Sequence, residues 1–266
     1  TGGIMESWAD LYRFTKDPQH LELMHRYERP RYYEALLRGE DILTNEHANT
    51  TIPEILGVCK AYEITGEQRY LDIARAYWKL AVDDRGILAT GGQTSGEVWL
   101  PMHRQASRLS NKNQEHCTVY NMMRLADFLY QQDGDVKYAD YWERNLYNGI
   151  FAQGYYEPYF KYSQSEDIEK ETGLLCYFLP LEAGAKKRWG GKREHFWCCH
   201  GTLVQANAAM LQQGIYYAAE KEATVCQYFP SEVKLAAPDL SLEKDVVLRQ
   251  EHDNRGETRP RAVNFI

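Results

Sequence analysis

The residues best suited to chemistry are the thiols. Six cysteines are present: Cys59, Cys117, Cys176, Cys198, Cys199 and Cys226. They are too sparse for a disulfide scaffold in a chain of 266 residues. The adjacent pair Cys198–Cys199 is also awkward for a bond between its own members. Two of the thiol positions stand ahead of apolar helical runs. Glu115-His116-Cys117 leads into Tyr120, Met123, Leu125 and Phe128, and Ser110, Asn111 or Asn113 could cap that helix. Trp197-Cys198-Cys199-His200-Gly201 leads into a run expected to be helical from Leu203 to Ala219. A thiol at a helix N-terminus is acidified, because unpaired backbone N–H groups favour the thiolate. Two such helix starts could converge on one cation. Glu115, Cys117, Cys198 and Cys199 would make a four-coordinate zinc set, with His200 as an alternative ligand. The plainer reading is that these cysteines pack as small apolar residues and that His200 only starts a helix.

A carboxylate and a histidine add to this. Glu97 follows Gly96 and precedes Val98-Trp99 in a loop that begins at Gly91-Gly92. A carboxyl group beside an aromatic ring in such a loop could act as a general acid; a lone loop glutamate is otherwise simply solvated. His47-Ala48-Asn49-Thr50-Thr51-Ile52-Pro53 crowds polar side chains ahead of an apolar helix. It reads either as a helix start capped by Asn49 or Thr50, or as a polar cluster facing a hydroxyl-rich ligand.

The elements that must carry these residues repeat. Around Leu11–Leu21, Ala61–Leu71 and Leu129–Ala139 a helix ends, a turn with Asp or Gly follows, and a second amphipathic helix begins. Apolar residues recur at helical spacing on both sides of the turns: Ile55, Val58, Cys59 and Tyr62, then Leu71, Ala74 and Trp78; Leu125, Phe128 and Leu129, then Tyr138, Tyr141 and Trp142. Three αα-hairpins in series predict a mainly α protein built as a helical array or α/α toroid. The unequal loops between them are where a site is expected. Past residue 222 short β-rich runs take over (Thr224–Phe229, Val233–Leu235, Val246–Leu248, Arg261–Phe265), so the expected organisation is a helical domain over 1–221 and the start of a β module over 222–266.

Composition excludes other classes. Net charge is −7, which argues against a nucleic-acid partner. The longest uncharged stretch, 201–219, carries Thr202, Gln205, Asn207, Gln212 and Gln213, so a buried helix is expected there and no membrane span. Twenty Tyr and six Trp suit either sugar stacking or a helical core. The chain opens at Thr1-Gly2-Gly3, and processing from a longer protein is expected.

Taken together, His47–Pro53, Thr90-Gly91-Gly92 through Gly96-Glu97, Glu115-x-Cys117, Tyr147-Asn148-Gly149, Tyr177 with Pro180-Leu181, and Cys198-Cys199 resemble the zinc- and cysteine-dependent β-L-arabinofuranosidases of glycoside hydrolase family 127 and the related family 146. The motifs occur in family order across most of residues 1–222. The resemblance implies an (α/α)6 barrel followed by β-sandwich modules, and a retaining exo-glycosidase acting on β-L-arabinofuranosides or a related plant cell-wall sugar. Carried over by position, Cys198 matches the nucleophile and Glu97 the general acid/base. Glu115, Cys117, Cys198 and Cys199 match the zinc ligands, and His47 and Tyr177 match residues that contact the sugar. After the cysteine pair this chain continues His200-Gly201-Thr202, where the family often has Pro or a small residue.

A ring of about a dozen helices needs more chain than this. The expectation is therefore that 1–266 is the later part of a barrel, completed by a preceding segment or another chain. The expected partner is a small glycoside, with neither nucleic acid nor membrane involved. Zinc-held thiolates suit a reducing cytoplasm, the expected location, although a periplasmic or secreted origin is compatible with the same residues. Two competing readings follow: a catalytically inactive sugar-binding or zinc-stabilised structural protein on the same fold, and, ranked last, a sugar epimerase, which would want a second histidine to pair with His47.

Overall fold

The computed structural model describes residues 2–154, 175–190, 195–210, 212–218, 223–228, 230–235, 246–252 and 258–265. The chain divides into two compact units, residues 1–206 and 207–266.

The first unit is built from the three expected αα-hairpins. Helix α1 (Ile4–Thr15) turns into α2 (Pro18–Arg26), α4 (Ala48–Thr65) into α5 (Gln68–Trp78), and α6 (His116–Asp133) into α7 (Val136–Asn145); α3 (Pro30–Leu37) lies between the first two pairs. The turns follow from their residues. Gly66 and Gly134 end α4 and α6 in the left-handed region that glycine enters without cost, each returning its N–H to the carbonyl four residues back. Asp17 and Asp135 then cap α2 and α7 through their carboxylates, accepting from Gln19 N–H and Lys137 N–H.

The residues that recurred at helical spacing form the core. Ile55, Val58, Ala74, Leu125 and Leu129 are fully buried, and Tyr138 and Tyr141 pack edge-on against Trp78 with ring centroids 4.9 Å apart. The larger of these, Ile55, Val58, Leu125 and Leu129, each contribute about 1.5–3 kcal/mol by leaving water. Trp99 from the loop region joins this core, donating its indole N–H to Thr51 Oγ1 at 2.9 Å.

Two expectations about helix starts fail. Helix α6 begins with Glu115 at its N-cap, and α4 with His47; neither end has a side-chain cap among the described residues. Asn113 is instead buried in the preceding loop, where its amide donates to the carbonyls of Thr94 and Arg108. At α4 the carbonyl of Glu97 takes the Ala48 N–H at 2.8 Å, a long-range backbone cap that replaces Asn49 or Thr50.

The run expected to be a buried helix from 203 to 219 is shorter and shallower. Helix α8 spans Cys198–Ala209, and only Cys199 and Ala206 are buried. Polar Gln205 and Asn207 leave it no continuous apolar stripe, and Gly214, at φ +75°, turns the chain into a strand.

In the second unit, β3 (Tyr216–Ala218) pairs antiparallel with β4 (Ala223–Val225). A separate antiparallel sheet runs in the order β5 (Ser231–Leu235), β6 (Val246–His252), β7 (Thr258–Phe265). These strands follow the β-rich runs of the sequence; the boundary placed between 221 and 222 lies outside the described residues. The fold is therefore mainly α: part of an α/α toroid followed by a partial strand module. Among the described residues no helix is long and apolar enough to cross a membrane.

Candidate active site

The loop between α5 and α6 folds into a minimal hairpin, β1 (Thr94–Ser95) against β2 (Val98–Trp99). Its two turn residues are Gly96 at φ +60° and Glu97 at φ +70°. Positive φ at both positions is the tight-turn geometry that suits the strand twist, yet for a glutamate it costs on the order of 1 kcal/mol. The Glu97 side chain is held by two partners from other elements. His47 Nε2 stands 3.3 Å from Glu97 Oε2, and the Tyr177 hydroxyl donates to Glu97 Oε1 at 2.7 Å.

Two helix N-termini supply the sulfurs. Cys117 is the second residue of α6, and Cys198 and Cys199 are the first two of α8. The three Sγ atoms lie within 4.8 Å of one another, with Cys117 and Cys199 at 3.1 Å. Cys117 and Cys199 are fully buried, whereas Cys198 is exposed. Its sulfur also lies 3.3 Å from the Tyr177 hydroxyl. Hydrogen bonding from the Cys199 thiol, aided by Tyr177 and Cys117, lowers the Cys198 pKa to about 5. The neighbouring Cys117 and Cys198 sulfurs push Cys199 far up. Three thiols this close cannot all ionise without a compensating positive charge.

Glu115, the N-cap of α6, adjoins this group. It is 1% exposed, and its Oε1 has no hydrogen-bond partner among the described residues. Burial, then the charges of Glu97 and Cys198, raise its pKa to about 8. An orphaned buried carboxylate oxygen beside three converging thiols is a donor set that fits a thiophilic divalent cation. His200, the alternative ligand, is outside the thiol group: its Nδ1 accepts the Trp197 N–H at 3.2 Å.

Cys198, Glu97 and Tyr177 line a cleft of ≈ 1030 Å³, together with Trp197, His195 and His200. His47, Glu97, Glu115, Cys117, Tyr177, Cys198 and Cys199 thus lie in one locality, whereas Cys59 packs in the helical core. Sequence reasoning missed Trp197, a half-exposed ring edge-on to Tyr177 at 5.7 Å, and Thr202, whose hydroxyl lies 3.5 Å from Cys117 Sγ. A threonine one turn after Cys198 on the same helix face was the only signal for the latter.

The class defined here is a toroid-type helical protein with a carboxylate facing a thiol cluster across a tyrosine hydroxyl. Residues 1–212 match the family described as β-L-arabinofuranosidase, GH127 catalytic domain, and the chain belongs to that family. Three solved structures are similar to it in fold. One is a glycoside hydrolase (TM-score 0.68, 19% identity, 98% of this chain and 46% of that one). Another is a GH127 β-arabinofuranosidase (TM-score 0.65, 20% identity, 94% and 38%). The third is a GH127 β-L-arabinofuranosidase from Geobacillus stearothermophilus T6 (TM-score 0.65, 17% identity, 97% and 45%). The chain therefore spans less than half the length of these structures. No curated protein sequence matches it significantly.

Proposed function

We propose that this chain carries the active centre of a retaining exo-glycosidase that releases β-L-arabinofuranose or a related plant cell-wall sugar. Residues 1–221 would be the later part of its catalytic barrel and 222–266 the start of a β-sandwich. The observation that carries the reading is the Tyr177 hydroxyl, which touches both Glu97 and Cys198. Because one hydroxyl spans them, the acid oxygen and the sulfur are no more than roughly 6 Å apart, near the short separation of double displacement and below the wider spacing that single displacement uses.

In the first step the Cys198 thiolate attacks the anomeric carbon, the bond to the leaving oxygen breaks, and Glu97 gives that oxygen its proton. In the second, the Glu97 carboxylate takes a proton from water, the water oxygen attacks the same carbon, and the carbon–sulfur bond breaks to restore the thiolate. Two inversions give net retention. His47 and Tyr177 hold Glu97 in place and are positioned to meet sugar hydroxyls. Glu115, Cys117, Cys198 and Cys199 would hold zinc, which when bound lowers the cost of keeping Cys198 ionised at neutral pH.

The test is turnover of an aryl β-L-arabinofuranoside, with product stereochemistry followed by NMR. Retention is expected, with Cys198→Ser inactive but folded and one pentosyl unit trapped on Cys198 in a quenched digest. If the wild type turns over nothing while Cys198→Ser lowers the melting temperature, the site is structural and the catalytic reading falls.

A further inference from the structure

Helix α6 and helix α8 contribute the two halves of the thiol cluster, and one hydrogen-bonded chain ties those halves together. His116 Nδ1 lies 3.1 Å from Thr202 Oγ1, and Thr202 Oγ1 lies 3.5 Å from Cys117 Sγ. His116 is fully buried, and its other ring nitrogen, Nε2, has no partner among the described residues. A neutral imidazole has one N–H, and a nitrogen bearing a proton is costly to bury unpaired. The proton therefore belongs on Nδ1, which donates to Thr202.

That donation settles the direction of the hydroxyl. Thr202 has one proton, and Cys117 Sγ competes for it with the Cys199 carbonyl at 3.0 Å and the Cys198 carbonyl at 3.5 Å. With a cation held by the cluster the Cys117 sulfur would carry negative charge, and hydrogen bonds to charged acceptors are about twice as strong as those to a neutral carbonyl. We infer that Thr202, aligned by His116, is a positioning residue that directs its proton to the Cys117 thiolate and so fixes Cys117 as a permanent ligand, leaving Cys198 as the free-edged nucleophile. The inference rests on the zinc-site reading above.

Exposure supports this division of labour. Cys117 faces no solvent and is held by Thr202, whereas Cys198 opens into the cleft, with Tyr177 rather than Thr202 as its hydroxyl neighbour. Partners that hold a ligand from behind typically alter metal affinity by 10–100-fold.

The experiment uses the full chain loaded with zinc, and with cobalt as a spectroscopic stand-in. Zinc affinity is read by competition with a chromophoric chelator. The thiolate-to-cobalt absorption band reports the charge on the sulfurs, and the melting temperature of the metal-free protein controls for folding. Thr202→Val, which keeps the shape and removes the hydroxyl, is expected to weaken zinc binding at least 10-fold and shift the cobalt band, with a small fall in the metal-free melting temperature from the unpaired His116 N–H that Thr202→Ser recovers. Thr202→Ser is expected to restore both readouts. His116→Phe should weaken binding in the same direction and add little on top of Thr202→Val, since the two act as one unit. Unchanged affinity and band in Thr202→Val overturn the inference alone. A fall in metal-free stability that Thr202→Ser does not rescue overturns it in favour of a mere helix tie. A wild-type chain that binds neither metal overturns the zinc reading and this inference with it.

Discussion

Tyr177 donates its hydroxyl proton to Glu97 at 2.7 Å from a position where the same oxygen lies 3.3 Å from Cys198 Sγ. One proton faces two acids. With Glu97 protonated, its O–H donates to the Tyr177 oxygen, and the tyrosine proton turns to the thiolate. In the proposed mechanism Tyr177 would couple the acid to the nucleophile, the pairing its first step requires. Tyr177→Phe is expected to lower kcat by roughly 10–100-fold with a smaller effect on KM, and to slow alkylation of Cys198 by iodoacetamide at neutral pH. Steady-state kinetics and a timed labelling series check both.

Glu97 occupies a backbone position that favours glycine, so function and stability pull against each other there. Glu97→Gly is expected to abolish activity yet raise unfolding stability by about 1 kcal/mol, because the left-handed strain is removed. Glu97→Gln keeps the strain and removes the acid; it is expected to be inactive with stability close to wild type. Denaturant titration of the three proteins, alongside activity, separates the two effects.

The glycines that accompany the site residues in sequence have a packing role the structure makes explicit. A Cβ on Gly92 would fall 2.6 Å from Gln114 Cγ, and one on Gly149 2.6 Å from a methyl of Val119. Gln114 immediately precedes Glu115, and Val119 lies on the first turns of α6, so Gly92 lets its loop, and Gly149 the π-helical turn Leu146–Phe151 that continues α7, lie directly on the helix start that presents Glu115 and Cys117. Gly92→Ala and Gly149→Ala are each expected to cost about 1–3 kcal/mol and to weaken zinc retention during dialysis against a mild chelator. The same change at Gly96, where nothing lies within 4 Å of the added carbon, is expected to cost only the strain of its positive φ and to leave zinc retention unchanged.

The hairpins were legible because short-range rules fix them: apolar spacing at Ile55, Val58, Leu125 and Leu129, and stop–start signals at Gly66 and at Gly134-Asp135. The thiol-bearing helix starts were legible for the same reason. What the sequence hid were long-range partners. The cap of α4 is the carbonyl of Glu97, some fifty residues later, and no local reading of Asn49 or Thr50 could find it. Thr202 looked like an ordinary helix threonine until α6 brought His116 and Cys117 to it. The 203–219 run is not one buried helix because its polar residues, enough to exclude a membrane span, also break the apolar stripe a buried helix needs, and Gly214 at φ +75° ends the helical path.

The hairpin bearing Glu97 is held from below by a fully buried cation, and that anchor is expected to fail in acid. Arg85 is 0% exposed and donates to Asp41 Oδ1 at 2.7 Å, to Thr44 Oγ1 at 3.0 Å and to the carbonyl of Leu100, the residue that follows β2. Burial alone would raise the Asp41 pKa, but the Thr44 hydroxyl and the Arg85 guanidinium outweigh it and hold the carboxyl below its usual 3.8. A depressed carboxylate binds its proton more readily in the unfolded chain. Its stabilising contribution is therefore complete above the ordinary carboxylate range and disappears as pH falls through the folded value. Asp41→Asn is expected to cost roughly 2 kcal/mol at pH 7, the worth of a hydrogen bond to a charged partner. The gap between variant and wild type should narrow steadily as pH is lowered past 4. Urea unfolding at pH 7, 5 and 3 measures it, and a gap that stays constant across that range would show that Asp41 is not the group that balances Arg85.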